Sequence, residues 1–399
     1  MTIRLLAGRK MRHDDFDEDD TTSVASIETG RSIASEDADF YETYTKSDGE
    51  EEDIDQAIEE LTERRTTTRV AALEKLYNHV LHYYPADEIS DSFVSNVMSC
   101  LRRPSDEEAV LGSKILAVLS LIFGGDNEGF YQRSKSVLEP LAKTAKMQKV
   151  KSAAMRSLAM ICHVCSVEEE NADELLDMYT KFLDVKIVAS VCASALEAWG
   201  ILASSLPEEV LATDTFIDKY LPRFLSLLDH TDVDVRSAAG ENIALLFESA
   251  SKCGVTLPCD VEIIEKLRAM SKDSSKKNSK KDRKVQRSVF RDIHATLSNG
   301  DSPQVAFVVK GEHLDVSSWK SVIQFEAIKN VLHSGLQEHI KFNNILRQML
   351  DLPEVIEERA NDRRDVFDKK SSSRKSRSNE LKGERRRKQH MQESFLDDY

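Results

Sequence analysis

Apolar residues in the middle of the chain recur at the three- and four-residue spacing of amphipathic helices. The clearest case is the segment 234–247, whose apolar face consists of Val235, Ala238, Ala239, Ile243 and Leu246. Small residues on the same segment, Ser237 and Gly240 among them, would let a neighbouring helix approach closely. We expect this segment to be the inner helix of a stacked α-hairpin.

The same helical pattern repeats along the chain. Similar helices begin near Val70, Ala109, Val150, Ile187 and Val285. With the helix that starts at Val235 included, successive starts lie 37 to 50 residues apart. Two-helix HEAT and armadillo units repeat every ~40–47 residues. A second amphipathic segment precedes each of these helices. The chain is therefore predicted to be all-α, a HEAT/armadillo-like α-solenoid, and such a fold is first of all a binding surface.

The pattern changes from Pro303 onward. Gln304–Lys310 is the one stretch that reads as a strand, and the two amphipathic helices Trp319–Leu332 and Leu336–Leu350 follow it before Pro353. We expect a small, mainly helical C-terminal module, packed on the end of the solenoid or standing alone. The predicted organisation is a disordered acidic tail at 1–52, a repeat domain at 53–300, the module at 301–353 and a basic polar tail, disordered or an extended helix, at 354–399.

Charge is distributed unevenly along the 399 residues, whose formal net charge is −15. Between His13 and Glu60 there are 19 Asp and Glu against two bases, so the remainder of the chain is slightly positive. The acidity belongs to one segment, and we expect roughly residues 1–50 to be disordered because they are polar and self-repelling. No apolar run reaches the ~20 residues of a membrane span. We expect a soluble protein of the cytoplasm and nucleus that does not contact membranes.

Two other segments of the chain carry a net positive charge. Residues 271–287, which we expect to form an exposed loop leading into a helix, hold eight Lys and Arg against two Asp. Residues 369–388 hold ten against two Glu. Both are polar and lack interspersed aromatic residues, which suits contacts to phosphate but not base readout. A solvated linker or a nuclear-import signal remains the alternative. The candidate RNA-binding residues are Lys276, Lys277, Lys280, Lys281, Arg283, Lys284, Arg287, Lys369, Lys370, Arg374, Lys375, Arg377, Arg385, Arg386, Arg387 and Lys388.

Candidate catalytic and metal-binding chemistry is sparse. The phosphate-binding, zinc-protease and serine-hydrolase motifs are all absent from the sequence. Cys162 and Cys165 flank His163, but they lie in an apolar helix without a second Cys pair, so we expect them to be core residues. We predict no enzyme activity, no cofactor, no metal and no small-molecule substrate. One polar group on the last helix, His339, Asn343, Asn344 and Arg347, is either a contact patch or the solvated face of that helix.

Five segments, in order, resemble the interferon-related developmental regulator family between Asp53 and Pro353. Those near the start and middle, Thr68–Leu76 and Glu197–Leu202, are weak alone. The specific ones are Asp234–Glu248, Lys284–Asp292 and the module Gly311–Leu350. One small departure is Val316-Ser317-Ser318-Trp319, where the family has Asp-Ser-Trp.

This resemblance implies a non-enzymatic regulator with an armadillo-like domain. Members of the family are linked to ribosome association with translational silencing, and to nuclear co-regulation of transcription through deacetylase-containing complexes. The first function needs ribosomes or rRNA as partners. The second needs regulatory protein complexes. Net charge does not decide between them.

Overall fold

Paired antiparallel helices make up most of the computed structural model, which describes residues 50–354 except for 126, 259, 273–279, 310 and 311. The first helices of the pairs form an outer layer: α1 (Glu50–Glu60), α3 (Asp91–Cys100), α5 (Glu128–Thr144), α7 (Glu169–Thr180), α10 (Asp214–Leu227) and α12 (Val261–Met270). The second helices form an inner layer: α2 (Thr66–Leu81), α4 (Asp106–Phe123), α6 (Gln148–Cys165), α8 (Ala189–Ala203), α11 (Val233–Lys252) and α13 (Lys280–Asn299). A single turn, α9 (Glu208–Leu211), lies between α8 and α10. The predicted all-α solenoid is confirmed.

The inner helices stack directly on one another. Each one from α4 to α11 contacts the inner helices before and after it as well as its own outer partner. In α8 this leaves every residue from Val191 to Leu196 buried. Small side chains allow the close packing, as predicted for Gly240, where an added Cβ would lie 2.8 Å from the Cδ1 atom of Ile293 on α13.

Local sequence signals set the ends of these helices. Ser105 begins α4 with a capping box, since its hydroxyl accepts from the Glu108 amide while the Glu108 carboxylate accepts from the Ser105 amide. Asp232 caps α11 by accepting from the amides of Asp234 and Val235. Gly124 ends α4 at φ 76°, a left-handed conformation that glycine adopts without strain.

One continuous hydrophobic core runs from Ile54 on α1 to Leu350 near the end of the described chain. Trp199 of α8 is fully buried at its centre. Its ring lies 4.7 Å from that of Phe224 and 5.0 Å from that of Tyr220, both on α10. These aromatic contacts join the fourth helix pair to the fifth.

The segment after α13 contains a small hairpin followed by three helices. Strands β1 (Val305–Val309) and β2 (Glu312–Val316) pair antiparallel, with Val305 opposite Val316 and Phe307 opposite Leu314. The helices are α14 (Trp319–Leu332), α15 (Leu336–Phe342) and α16 (Asn344–Met349). Strand β1 and helix α14 were predicted, whereas β2 was not. The single predicted helix Leu336–Leu350 is wrong because the backbone of Asn343 is extended and breaks it in two.

Both predicted tails fall almost entirely outside the described residues, at 1–49 and 355–399. Among the described helices, none combines the length and apolar content that crossing a membrane requires.

Candidate interaction surface

Polar side chains bridge successive inner helices along the stack. Arg69 on α2 binds Glu108 on α4, Arg156 on α6 binds Glu197 on α8, and the Asn242 side chain on α11 donates to the Leu196 carbonyl at 3.0 Å. The residues so joined are 39, 41 and 46 positions apart, which matches the repeat length. Each bridge fixes the register of one unit against the next.

Glu108 is the most buried of these bridging groups. Its carboxylate accepts from the Arg69 Nε at 2.6 Å and from the Ser105 amide at 2.7 Å. Arg69 also donates to the carbonyls of Glu63 and Arg64, which ties the α1–α2 loop to the same point. Burial raises the pKa of Glu108, but the hydrogen bonds from Arg69 and Ser105 outweigh it and leave this pKa below its usual value.

The C-terminal module lies across the inner helices. Helix α14 contacts α11, α8, α6 and α4, so it runs back along the stack. At its start, the buried Glu248 carboxylate on α11 accepts from the Trp319 amide at 2.9 Å and from the Ser302 hydroxyl at 2.6 Å. The next residue, Lys320, donates to the Leu206 carbonyl at 2.6 Å. We call α14, α15 and α16 the strap.

The far end of the strap reaches the first two helix pairs. An added Cβ on Gly335 would lie 1.7 Å from the Leu81 carbonyl oxygen at the end of α2, so only glycine fits this approach. The Asn343 side chain donates to the Leu121 carbonyl on α4 at 2.7 Å. Ile345 packs over Gly124 at the end of the same helix. The expectation that the module sits on the solenoid end or stands alone is therefore wrong.

The polar group His339, Asn343, Asn344 and Arg347 takes part in this internal contact. Only Asn344 is exposed; the side chains of the other three are buried. His339 lies 3.3 Å from the Val80 carbonyl, and burial lowers its pKa to about 4, so it is neutral at physiological pH. Arg347 donates to the carbonyls of Ile340 and Pro353. Neither a solvent-facing contact patch nor a solvated helix face describes these three residues, because all three are buried. His339 and Asn343 face the inner helices α2 and α4, while Arg347 binds carbonyls of the strap and of Pro353.

Since the strap covers the C-terminal parts of the inner helices, the open part of the inner surface lies nearer their N-terminal ends. Exposed or half-buried charges of both signs recur near the middle of successive inner helices, 40 to 44 residues apart. They are Glu74, Lys114, Arg156, Glu197 and Glu241. Because the signs are mixed, this open part is better matched to a protein segment than to a polyanion.

The predicted basic loop is helical over its second half. Helix α13 begins at Lys280, so Lys280, Lys281, Arg283, Lys284 and Arg287 lie on its first turns instead of in a loop ending at Arg287. Lys, Arg and Gln are good helix formers, but the apolar pattern starts only at Val285, so the helix start was placed too late. Lys276 and Lys277 lie outside the described residues. So do the candidates of the tail: Lys369, Lys370, Arg374, Lys375, Arg377, Arg385, Arg386, Arg387 and Lys388.

Four basic positions on α13 share one face. Lys280, Lys284, Arg287 and Arg291 follow the spacing i, i+4, i+7 and i+11. The core-facing side of the helix carries the buried residues Gln286, Val289, Phe290 and Ile293, so the basic positions lie away from it. Arg291 is exposed and was not among the predicted residues, because it lies beyond the charge-rich segment. We call these four positions the α13 basic stripe.

Cys162 and Cys165 are buried in α6, as predicted. Burial raises the pKa of each thiol to about 12, which keeps both protonated. Within the described residues, no group of three or more His, Cys, Asp or Glu is placed to hold a metal ion.

Comparison with known proteins identifies the family. The sequence profile described as interferon-related developmental regulator matches residues 21–298. The chain belongs to the interferon-related developmental regulator family. Interferon-related developmental regulator 1 of Mus musculus is 27% identical, with 84% of this chain and 80% of the relative covered. Interferon-related developmental regulator 2 of Mus musculus is 26% identical, with 77% and 74% covered.

Solved structures with a similar chain path are engineered repeat proteins. One is a designed armadillo repeat protein in complex with the peptide (KR)4, 19% identical, with a TM-score of 0.38 over 59% of this chain and 99% of that one. A second engineered protein has a TM-score of 0.43 and 19% identity, and covers 62% of this chain and 99% of its own.

Proposed function

We propose that this member of the family is a regulator that binds ribosomes through RNA phosphates and represses translation, acting by binding and not by catalysis. The observation that carries the proposal is the α13 basic stripe, in which Lys280, Lys284, Arg287 and Arg291 occupy one helix face. Family membership and the helical-repeat fold support the coarser statement, a regulator built as an interaction scaffold.

The stripe has the dimensions of a backbone contact. Its first and last positions are 11 residues apart, about 16 Å along a helix that rises 1.5 Å per residue. Nucleotides of one strand advance about 3.4 Å each, so the four basic residues of the stripe can meet phosphates along about five nucleotides. The positive end of the α13 dipole lies beside Lys280 and adds to the attraction. Such contacts position a protein on RNA without reading its sequence.

A second candidate function draws on the open part of the inner surface. Its mixed charges, among them Lys114 and Glu241, favour a protein partner. On this alternative the protein is a nuclear scaffold that recruits deacetylase-containing complexes to regulate transcription.

Sedimentation of lysate on a sucrose gradient separates the two functions. We expect the protein to travel with ribosomal particles and to leave those fractions after RNase treatment. The variant K280A/K284A/R287A/R291A should stay near the top of the gradient. The matched control K75A/K143A/K219A/K266A removes the same number of positive charges, all from surface ion pairs, and should sediment like the wild type. Sedimentation of the stripe variant with ribosomes would contradict the proposal. Nuclear retention with deacetylase co-purification would favour the second candidate.

A further inference from the structure

A patch of lysines and exposed apolar side chains lies where the third and fourth inner helices begin. Met147 is the residue before α6 and Val188 is the residue before α8, so the two hold equivalent positions one repeat apart. The loops that lead into these helices supply the other members. We call this set the third-loop patch: Lys146, Met147, Lys149, Lys181, Val185, Lys186 and Val188.

Contacts between the first turns of α6 and α8 hold the patch together. The Ser190 hydroxyl donates to the Gln148 side chain at 3.3 Å, and the Ser152 hydroxyl donates to the Ser190 carbonyl at 3.2 Å. The Lys151 ammonium lies 5.2 Å from the ring centroid of Phe182. These bonds join the start of α6 to the start of α8 and to the loop before it.

The lysines of the patch have no acidic partner in the described part of the chain. Lys146, Lys149, Lys181 and Lys186 are all exposed. Other surface lysines, such as Lys135 and Lys219, pair with carboxylates on a neighbouring repeat. No Asp or Glu occurs in the sequence between Glu139 and Glu168. The acid nearest to the patch in sequence, Asp184, accepts from the Lys186 backbone amide.

Apolar exposure is concentrated at the same place. Six large hydrophobic side chains are strongly exposed among the described residues, and three of them, Met147, Val185 and Val188, belong to the patch. Valine and methionine add nothing to a phosphate contact, but they can bury the aliphatic or aromatic side chains of a peptide. The combination fits an acidic segment that carries apolar residues.

We propose that the third-loop patch docks the chain's own acidic segment, residues 13–49, which lie outside the described residues. This segment holds twelve Asp and Glu against two bases, so its charge is opposite to that of the patch. Aromatic residues stand between its acids at Phe16, Phe40, Tyr41 and Tyr44. The acids pair with the four lysines while the aromatic side chains cover Met147, Val185 and Val188.

The segment is long enough to reach the patch. It joins the described chain at α1, two to three helix pairs before the patch. Helices pack 8–10 Å apart, so with the length of α1 the distance is about 30 Å. An extended chain covers this with about nine residues. Tethering at this range gives an effective concentration of about 1 mM. If the untethered segment binds with a dissociation constant of about 0.2 mM, the patch is filled about five times as often as it is empty.

Amine labelling of the full-length protein tests the docking. In low salt, the acetylation rates of Lys146, Lys149 and Lys186 should rise about six-fold when the twelve acidic residues of 13–49 are replaced by Asn or Gln, because the patch is then free all the time instead of one sixth of it. The same rise should follow from 0.5 M NaCl on the wild type, since salt screens exposed charges. Lys341, which is exposed and lies outside the patch, serves as the internal reference and should not change.

A second variant separates docking from simple charge attraction. Met147→Ser with Val188→Ser keeps every charge, and we expect it to lose part of the protection of the lysines. Rates equal in the wild type and the acid-replaced protein would overturn the proposal, as would protection that persists after the acids are replaced. Protection that appears only when polyuridine RNA is added would assign the patch to RNA instead. Unchanged protection in the Ser variant would refute the apolar contact.

Discussion

Buried polar side chains hold the two ends of the repeat domain together. Glu108 joins the first helix pair to the second, Glu248 receives the start of the strap, and Asn343 fixes its end to α4. The sequence identified His339, Asn343, Asn344 and Arg347 as a polar group, but it could not show which way the group faces. Helix periodicity gives the face of each residue within its own helix. Whether that face meets solvent or another helix depends on where the strap lies.

Replacing Asn343 should destabilise the protein far more than replacing its neighbour. The Asn343 side chain caps α16 by accepting from the amides of Ile345 and Leu346, and it donates to the Leu121 carbonyl. Asn343→Ala removes a cap worth about 1 kcal/mol and leaves a buried carbonyl unpaired, which costs about 1–2 kcal/mol more. Asn344→Ala, at an exposed position, should change the free energy of unfolding by less than about 0.5 kcal/mol. Urea unfolding of both variants measures the difference, and equal stabilities would contradict the buried role of Asn343.

The pairing of Glu108 with Arg69 predicts a loss of stability in acid. Because the folded protein lowers the pKa of Glu108, the pair stabilises the fold fully above the unfolded pKa, near 4.5, and this stabilisation is lost as pH falls through the folded value. Glu108→Gln should therefore lower the free energy of unfolding at pH 7 by roughly 2 kcal/mol, as expected for a charged hydrogen bond. The difference from wild type should shrink below pH 4.5. Glu74→Gln, at an exposed position, is the control, and a difference independent of pH would refute the charged pair.

At the scale of elements, the inner helices were the most predictable part of the chain. Their apolar faces are wide, and several begin at a residue type that favours a helix N-cap, as Ser105 and Asp232 illustrate. Strand β2 was missed because the polar residues Glu312, His313 and Asp315 leave too few apolar positions to show the alternation of apolar and polar residues that marks a strand. A strand this short is stabilised mainly by pairing with β1. The path of the strap was also missed, because it depends on contacts between residues up to 259 positions apart.

Gly335 tests the strap through a single added carbon. The Cβ of Gly335→Ala would overlap the Leu81 carbonyl, and because the contact is backbone, it cannot be relieved by a side-chain rotation. We expect a loss of about 3 kcal/mol and faster hydrogen exchange in both α2 and α15. Gly129→Ala, on α5 with no atom within 4 Å of the new carbon, should be neutral or stabilise by up to about 1 kcal/mol. Wild-type exchange in Gly335→Ala would mean that the strap does not pack on α2.

For the whole molecule, the strap changes what a repeat protein of this length is expected to do. Repeats that contact only their neighbours lose stability locally when one unit is damaged. Here Trp319 and Gly335 contact helix pairs at opposite ends of the stack, so we expect the domain to unfold as one unit. The strap also leaves the α13 basic stripe and the open part of the inner surface as separate contact regions.

Salt dependence of ribosome binding tests the proposed function most directly. The measurement is the affinity of the full-length protein for purified ribosomes across a range of salt concentrations. If Lys280, Lys284, Arg287 and Arg291 each neutralise one phosphate, replacing all four by Ala should reduce the slope of log affinity against log salt by about 3, at roughly 0.7–0.9 per contact. The control K75A/K143A/K219A/K266A should keep the wild-type slope. An unchanged slope in the stripe variant would remove α13 from the interface and contradict the account.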